Sequence, residues 1–376
     1  MALLTDLKSI INGIKIFMEQ KELNKDNRIH NKKEILSASV VKKNSRVDTE
    51  KILYDELFPK FGKRFLDYRK KYENYLKDEG HNTLPDYPIS VILELVNRCD
   101  LECTMCYQGF RNDAKKYTLQ LNDLEKIFSD FKKNKLDALL LSASEPLLYK
   151  NFDKVLKMAD DAKIMDQFLF TNGKLLNEKN SEIILNSSLT RLFISMDAAS
   201  EETYNKVRIP VNKKILNTRR LELIEKNVKN FVKLRNSMNK TLPLVRTSFV
   251  ALEQNAHEVE TFIDKWIDIV DTVEIQRENS IDFYDDLKSN KDVKSKRLLT
   301  KYNCNQPWGQ VTIHSDGYVG PCCNTVGRNL PVGNVLKTSL KDIWHGINMN
   351  KVRDGFKNNN PNKICQLCIE NEKYNI

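Results

Sequence analysis

Six short apolar runs, separated by longer stretches with helical patterning, begin at residue 89 and dominate the middle of the chain. The runs are predicted strands, at 89–96, 137–142, 166–171, 190–196, 244–250 and 272–276. The intervening stretches are predicted helices, at 121–134, 151–162, 181–187, 218–238 and 256–269. Strands that alternate with helices form parallel sheets covered by helices. In barrels of parallel strands, ligand-binding residues follow the carboxyl ends of the strands, so functional residues are expected directly after each run.

Three cysteines follow the first predicted strand. Cys99, Cys103 and Cys106 have the spacing Cys-x3-Cys-x2-Cys. A structural zinc ion or a fully ligated iron–sulfur cluster takes four protein ligands. Three thiolates therefore leave one coordination position open for chemistry. The alternatives are a fragment of a zinc site or three buried thiols.

The other five of the eight cysteines lie close to the C-terminus. Cys365 and Cys368 form a Cys-x2-Cys pair typical of metal ligands, and Cys304 and Cys322 can complete a four-thiolate site with them. Cys323 is left over. Clustered cysteines without a secretory signal predict thiols in the cytoplasm rather than disulfides. Structural zinc is the alternative occupant of the four-thiolate site.

The segment 94–107, Glu-Leu-Val-Asn-Arg-Cys-Asp-Leu-Glu-Cys-Thr-Met-Cys-Tyr, resembles the signature loop of the radical S-adenosylmethionine (radical SAM) enzymes. The C-terminal motifs resemble those of the SPASM extensions of that superfamily, in the shortened, single-cluster form called twitch. These motifs are Cys304-Asn-Gln-Pro-Trp308, Asp316-Gly317, Cys322-Cys323, Gly333-Asn-Val335, Ile343-Trp344 and Arg353. The resemblance covers the predicted strands and the C-terminal cysteines.

An α/β fold with three parts follows from this resemblance. Residues 89–280 would form the radical SAM core, a partial (β/α)6 barrel, and residues 281–376 the SPASM/twitch domain with its auxiliary cluster. Residues 1–88 are predicted to be a helical N-terminal extension, with one helix over about 50–77 and a polar, partly disordered stretch at 20–50. Residues 3–17 have an amphipathic pattern that could contact a membrane surface or a partner helix, or pack on the chain itself.

The resemblance implies two [4Fe–4S] clusters and SAM as cofactors. In the family, a loop like this one holds a cluster whose open iron chelates the amino and carboxylate groups of SAM. Its ligands here would be Cys99, Cys103 and Cys106. The ligands of the auxiliary cluster would be Cys304, Cys322, Cys365 and Cys368. The family's Gly-x4-Cys spacing, counted from Gly317, favours Cys322 over Cys323 as the ligand.

The loop after the second predicted strand carries Glu145-Pro146, where the family usually has Gly-Gly-Glu-Pro. The resemblance implies that Glu145 contacts the ammonium group of SAM. Ala143 and Ser144 replace the two glycines, so any position there that needs a positive φ would be strained. The alternative for Glu145 is a solvent-facing loop carboxylate.

Four further positions match SAM contacts of the family. Asn172, in a Thr-Asn-Gly motif, would border the adenosine pocket, although Asn-Gly also forms ordinary turns. Ser195 and the nearby Asp197 would contact the ribose, and an N-cap of the next helix is the alternative for Asp197. Arg208 would bind the SAM carboxylate, because a planar guanidinium recognises a carboxylate through two hydrogen bonds.

Arg246 and Gln276, on the last two predicted strands, are candidate substrate contacts from their strand positions. The five histidines are dispersed and are interpreted as structural or surface residues. They are His30, His81, His257, His314 and His345.

The 376 residues carry a formal net charge of +10, but the lysines are scattered and not interleaved with aromatic residues. Nucleic-acid binding is therefore not expected. No apolar run is long enough to span a membrane.

The resemblance implies an enzyme that cleaves SAM reductively to a 5′-deoxyadenosyl radical, which abstracts hydrogen from a substrate. We predict an oxidoreductase, a dehydrogenase or epimerase, that acts on a small polar molecule such as a sugar, a polyol or an activated derivative. An external one-electron donor such as flavodoxin or ferredoxin would supply the electron. Cys323 is either a hydrogen-atom donor in an epimerisation or an inert thiol. The alternatives are a peptide-modifying enzyme and a non-catalytic iron–sulfur protein that binds SAM.

Overall fold

The computed structural model describes residues 39–77, 83–106, 116–216, 218–278, 299–323 and 328–370. These residues contain one ten-stranded sheet with the strand order β1-β7-β6-β5-β4-β3-β2-β8-β9-β10. The strands are β1 (Val40–Lys43), β2 (Ser90–Leu93), β3 (Ala138–Leu141), β4 (Asp166–Thr171), β5 (Arg191–Ser195), β6 (Leu244–Ala251), β7 (Thr272–Arg277), β8 (Gln310–Ile313), β9 (Tyr318–Gly320) and β10 (Gly333–Asn334). Strands β2 to β7 pair in parallel and confirm the six predicted strands and the α/β barrel core.

Twelve α-helices lie among the described residues. They are α1 (Thr49–Phe61), α2 (Lys63–Lys77), α3 (Leu121–Lys133), α4 (Phe152–Asp161), α5 (Glu178–Leu185), α6 (Glu201–Val207), α7 (Arg220–Ser237), α8 (Val259–Trp266), α9 (Gln306–Gly309), α10 (Leu340–Trp344), α11 (Ile347–Lys357) and α12 (Lys363–Glu370). Helix α3 illustrates why they pack on the sheet: Leu124, Ile127, Phe128 and Phe131 are buried at helical spacing. The crossover helices thereby cover the outer face of the strands.

Side chains of the barrel strands alternate between two faces. One face joins the helices in a single apolar core and includes Leu169, Leu192, Ile194, Val273 and Ile275. The other face carries larger and more polar side chains. It includes Phe168, Phe170, Arg191, Phe193, Arg246 and Glu274.

The predicted helix at about 50–77 is wrong in its continuity, because α1 and α2 are separate helices. The break is at Gly62, whose φ of 53° ends α1, while its N–H donates to the carbonyl of Phe58. Glycine adopts this left-handed conformation without steric cost. The two helices pack on the amino ends of the barrel strands, where Leu53 and Tyr68 share an apolar cluster with Ala138 and Leu244.

The N-terminal extension is not purely helical. Strand β1 pairs antiparallel with β7, Val40 opposite Ile275. The prediction of a polar, partly disordered stretch fails at 40–43, because the edge of β7 supplies hydrogen-bond partners that are distant in sequence. The amphipathic segment 3–17 lies outside the described residues.

The C-terminal part of the chain continues the same sheet. Strand β8 pairs in parallel with β2, and β9 and β10 follow in antiparallel order. The boundary predicted after residue 88 stays a prediction, and the one after residue 280 lies outside the described ranges. In the part of the chain that the structure describes, no helix is long and apolar enough to cross a membrane.

Candidate active site

The three-cysteine loop follows β2 and is fixed by the segment after α6. Leu101 forms an antiparallel bridge with Pro210, and the N–H of Glu102 donates to the carbonyl of Ile209 at 2.7 Å. The N–H of Thr104 donates to the carbonyl of Val207 at 3.0 Å. The backbone of the loop therefore has a defined path at the carboxyl edge of the barrel.

Asp100 anchors the same loop to the end of β4. Its Oδ1 accepts a hydrogen bond from Asn172 Nδ2 at 2.8 Å, and its Oδ2 pairs with Lys174 Nζ at 2.8 Å. Gly173 has a φ of 77°, and a Cβ there would lie 2.9 Å from a methyl carbon of Ile224. The Thr-Asn-Gly motif is thus a turn, and its asparagine side chain also holds the cysteine loop.

The thiols of the loop are close to one another and partly buried. Burial, opposed by the charge of Arg208 and aided by the neighbouring Cys106, raises the pKa of Cys103 to about 11. Burial likewise raises the pKa of Cys99, with smaller contributions from Glu145 and Cys103. Thiolates at such positions repel each other unless a cationic group lies among them. The donor set therefore fits an iron–sulfur cluster.

The loop after β3 has a strained backbone, as the replacement of its two usual glycines predicts. Ala143 and Ser144, which replace the usual glycines, have φ values of 63° and 55°. This region of φ is unfavourable for residues with a Cβ. The strain is concentrated directly before Glu145, whose N–H donates to the carbonyl of Arg98 at 3.1 Å. The loop is therefore also attached to the start of the cysteine loop.

Glu145 is not a solvent-facing carboxylate, because only 1% of its surface is exposed. Its Oε1 accepts hydrogen bonds from Thr171 Oγ1 at 2.8 Å and from the N–H of Leu147 at 3.2 Å. Its Oε2 accepts one from the N–H of Asn172 at 2.8 Å. Burial raises the pKa of Glu145 to about 7, although these hydrogen bonds favour the ionised form.

Asp197 and Arg208 form a buried ion pair beside Cys103. Arg208 Nε donates to Asp197 Oδ2 at 2.6 Å, and the charge of the guanidinium lowers the pKa of the Cys103 thiol, against the larger effect of burial. The alternative that Asp197 caps a helix is wrong, since Ser200 is the N-cap of α6 and accepts from the N–H of Thr203. The φ of Asp197 is 60°, which turns its carboxylate back toward Arg208.

Arg246 and Gln276 come together on the inner face of β6 and β7, on either side of Glu274. Arg246 Nη1 lies 3.1 Å from Glu274 Oε2, and Gln276 Nε2 donates to the same oxygen at 2.7 Å. The Arg246 guanidinium also lies over the Phe193 ring, 4.3 Å from its centroid. Ser195 pairs in register with Ser248 one layer nearer the carboxyl edge.

Three of the C-terminal cysteines lie near Tyr75, in the last turn of α2. Burial raises the pKa of the Tyr75 phenol, and so do the nearby Cys323, Cys304 and Cys322. Burial also raises the pKa of Cys365 to about 12, with a further contribution from Cys304. Cys368 lies one turn after Cys365 on α12, so that both can face one cluster.

All eight cysteines lie within the described residues, and none forms a disulfide. Within the described ranges, no group of three or more histidine, cysteine, aspartate or glutamate side chains is arranged to bind a single metal ion. A four-iron cluster is wider than one ion and takes its thiolates at separate corners.

Two residues of this region were missed from the sequence, Glu94 and His314. Glu94 directly follows β2, its carboxylate is fully buried, and His314 Nδ1 lies 3.5 Å from it. The sequence did contain a signal for Glu94, because it is the only charged residue in the apolar run 89–96. A buried charge is retained only where it is paired or hydrogen-bonded.

Comparison with known families agrees with this arrangement. A model of the radical SAM superfamily matches residues 93–264, and a model of the SPASM iron–sulfur cluster-binding domain matches residues 304–369. The chain thus contains a radical SAM domain and a SPASM domain. Its cofactors are therefore a [4Fe–4S] cluster and SAM in the barrel, with further iron–sulfur binding in the SPASM domain.

Relatives with curated descriptions match only part of this radical SAM chain. A probable GTP 3′,8-cyclase of Methanococcus maripaludis is 23% identical over 172 residues, which are 46% of this chain and 53% of that protein. A 7,8-dihydro-6-hydroxymethylpterin dimethyltransferase of Methanocaldococcus jannaschii is 24% identical over 142 residues, 35% of this chain and 28% of that protein. The chain thus spans about half the length, or less, of these curated relatives.

Among solved structures, Streptococcus suis SuiB bound to S-adenosylmethionine superimposes with a TM-score of 0.52. The match covers 75% of this chain and 70% of SuiB, at 17% sequence identity. At that identity the likeness shows a common fold.

Proposed function

We propose that this radical SAM enzyme abstracts a hydrogen atom from a small polar substrate, a sugar, a polyol or an activated derivative, and that the product is oxidised or epimerised. Cys99, Cys103 and Cys106 would hold the SAM cluster, with Glu145, Asn172, Ser195, Asp197 and Arg208 around SAM. Cys304, Cys322, Cys365 and Cys368 would hold one auxiliary cluster. Bound SAM would supply the radical that abstracts hydrogen, and this chain would orient the substrate and exclude water.

The polar inner face of β5 to β7 carries this proposal. Glu274 pairs with Arg246 and accepts from Gln276, and Arg246 Nε donates to Thr272 Oγ1 at 3.1 Å. Side chains of this kind can exchange hydrogen bonds with several hydroxyl groups of one molecule. The Phe193 ring beneath Arg246 supplies an apolar surface for the carbon skeleton.

Charge balance on this face favours a substrate with little net charge. Arg246 is paired with Glu274, and Arg191 forms two hydrogen bonds with Asp166, at 3.2 and 3.3 Å. A polyphosphate such as that of a nucleoside triphosphate would require cations that are not already neutralised. The cyclase relatives are therefore a weaker guide to the substrate than this surface.

The iron content tests the two-cluster assignment. Reconstituted wild type should contain about eight irons, and the triple variant Cys99→Ala/Cys103→Ala/Cys106→Ala about four. 5′-Deoxyadenosine should form under dithionite in the wild type alone. Binding of SAM without deoxyadenosine would favour the non-catalytic alternative, and about four irons together with zinc in the wild type would make the C-terminal site structural.

Substrate class is tested by the rate of 5′-deoxyadenosine formation under anaerobic conditions. Polyols and aminocyclitols should raise this rate, and nucleotide sugars should raise it less because their diphosphate is charged. Arg246→Gln should raise the KM for the active compound about tenfold or more. Arg219→Gln is the matched control, because that arginine is largely exposed and pairs with Glu222 at 3.4 Å. Stimulation by peptides alone would instead favour a peptide-modifying enzyme.

A further inference from the structure

Glu94 receives hydrogen bonds from the C-terminal domain. Its Oε2 accepts from the N–H of Ser315 at 2.9 Å and from Ser315 Oγ at 3.1 Å. Arg328 Nη1 donates to the same oxygen at 3.2 Å, while Arg328 Nη2 pairs with Asp316 at 3.0 Å. These residues belong to the hairpin that follows β8 and to the segment after it. The carboxylate is thus a joint between β2 and the SPASM domain.

The other oxygen of Glu94 faces the loop after β3. Ser144 Oγ donates to Glu94 Oε1 at 3.4 Å. Ser144 is one of the two residues held at positive φ, directly before Glu145. The N–H of Glu145 in turn donates to the carbonyl of Arg98, next to Cys99. A continuous set of contacts therefore connects the C-terminal hairpin with the two loops around the proposed SAM site.

The electrostatics show that Glu94 is ionised in this position. Burial acts to raise its pKa, but His314, the N–H of Ser315 and Arg328 outweigh burial and lower the pKa to about 2. A fully buried carboxylate depends on every one of its donors, because an uncompensated charge is unfavourable in the protein interior. A change in the contacts of Glu94 with Ser315 or Arg328 should therefore also alter its contact with Ser144.

We propose that Glu94 is a positioning residue that holds the loop 143–145 against the C-terminal hairpin, so that the affinity for SAM depends on the SPASM domain. The fold keeps two residues with Cβ atoms in the left-handed region, which requires surrounding contacts that fix them. Glu94 supplies such a contact from a rigid strand end. The inference rests on the proposed function only in assigning Glu145 and its loop to SAM.

The first test is amide hydrogen exchange, which needs neither cluster nor substrate. In Glu94→Gln, exchange at residues 142–146 should accelerate about tenfold, and SAM affinity after reconstitution should fall by a similar factor. Asp166→Asn is the matched control, because Asp166 is also a buried carboxylate with several donors but lies at the amino end of β4. Asp166→Asn should lower the melting temperature, but the exchange rate at 142–146 and the SAM affinity should stay within about twofold of the wild-type values.

Arg328→Gln separates positioning from general destabilisation, and it also serves if Glu94→Gln does not fold. This variant alters only the contacts of Glu94 with the C-terminal hairpin, yet it should accelerate exchange at 142–146. A further variant, Ser144→Ala, which removes the contact of Glu94 with the loop itself, should do the same. If only Ser144→Ala has this effect, or if Glu94→Gln resembles Asp166→Asn, the proposal is wrong. Faster exchange with unchanged SAM affinity would also overturn it. Failure of the substrate test would leave the exchange result unaffected, so the two proposals fail separately.

Discussion

Arg208 Nε donates to Asp197 Oδ2 at 2.6 Å, and the same guanidinium acts against burial to lower the pKa of the nearby Cys103 thiol, so that one cation serves both the end of β5 and the cysteine loop. Both members of the ion pair are buried, and Asp197 Oδ1 also accepts from the N–H of Val250 at 2.7 Å. A cation beside Cys103 stabilises its thiolate, which is the form that binds iron. The pair therefore contributes to the cluster site whether or not Arg208 also binds the SAM carboxylate.

Removal of the Arg208 charge should be strongly destabilising. Arg208→Met leaves Asp197 buried without its partner, and we expect the free energy of unfolding to fall by about 3–5 kcal/mol. Denaturant unfolding under anaerobic conditions measures this loss. The double variant Asp197→Asn/Arg208→Met should recover part of it, whereas Arg219→Met, at an exposed pair, should cost less than about 1 kcal/mol. If Arg208→Met and Arg219→Met lowered the free energy of unfolding equally, the stabilising role of the Asp197–Arg208 pair would be contradicted.

The backbone strain before Glu145 predicts a stabilising substitution. Ala143 has a φ of 63°, so Ala143→Gly should raise the free energy of unfolding by about 1 kcal/mol, since glycine adopts this conformation without the Cβ penalty. Thermal unfolding of the protein without clusters measures the change. Ala159→Gly, at a buried position in the last turn of α4, should do the opposite and cost about 1 kcal/mol. A destabilised Ala143→Gly variant would show that contacts of the methyl group outweigh the strain.

Local patterns were sufficient for the barrel. Each parallel strand is a short apolar run bounded by polar residues, and β4 begins and ends at the predicted residues 166 and 171. Strand β1 could not be predicted in the same way, because Val40 pairs with Ile275, more than 200 residues away. Its sequence, Val-Val-Lys-Lys, becomes a strand only where the edge of β7 is available.

The candidate site shows the same division. Cys99, Cys103 and Cys106 were identified from spacing, since covalent proximity makes them one loop. The partner of Asp197 could not be identified from the sequence, because an aspartate after a strand can either cap the next helix or form an ion pair. Which of the two occurs depends on where the fold places Arg208. Glu94 was passed over for the same reason: its donors come from residues 315 and 328, which only the tertiary fold brings to β2.

The adjacent thiols Cys322 and Cys323 should differ in their effect on iron content. The carbonyl of Cys322 accepts from Thr312 Oγ1 at 2.8 Å, which fixes this residue against β8, and Cys322 also has the Gly-x4-Cys spacing from Gly317. Cys322→Ser should therefore lose about four irons per chain, and Cys323→Ser should keep them. Iron and sulfide analysis of the two variants, reconstituted side by side, measures this difference. Loss of iron in Cys323→Ser alone would reverse the assignment of the ligand.

Glu145 should make stability depend on pH in a defined window. Its pKa is raised to about 7 in the folded protein from an ordinary value of 4.5, mainly because it is buried. Between about pH 4.5 and 7 the unfolded chain is ionised at this residue while the folded chain retains the proton. The unfolded state then binds fewer protons, so the free energy of unfolding falls as pH rises through this window and is level above it.

The variant Glu145→Gln isolates this contribution, because it cannot ionise and all other groups are unchanged. The difference in the free energy of unfolding, wild type minus variant, should fall by on the order of 3 kcal/mol from pH 4.5 to 7 and then stay constant. Denaturant unfolding of the cluster-free protein at several pH values measures it. A difference that rises with pH would mean that the hydrogen bonds from Thr171, Leu147 and Asn172 outweigh burial, and that Glu145 is a carboxylate throughout this range.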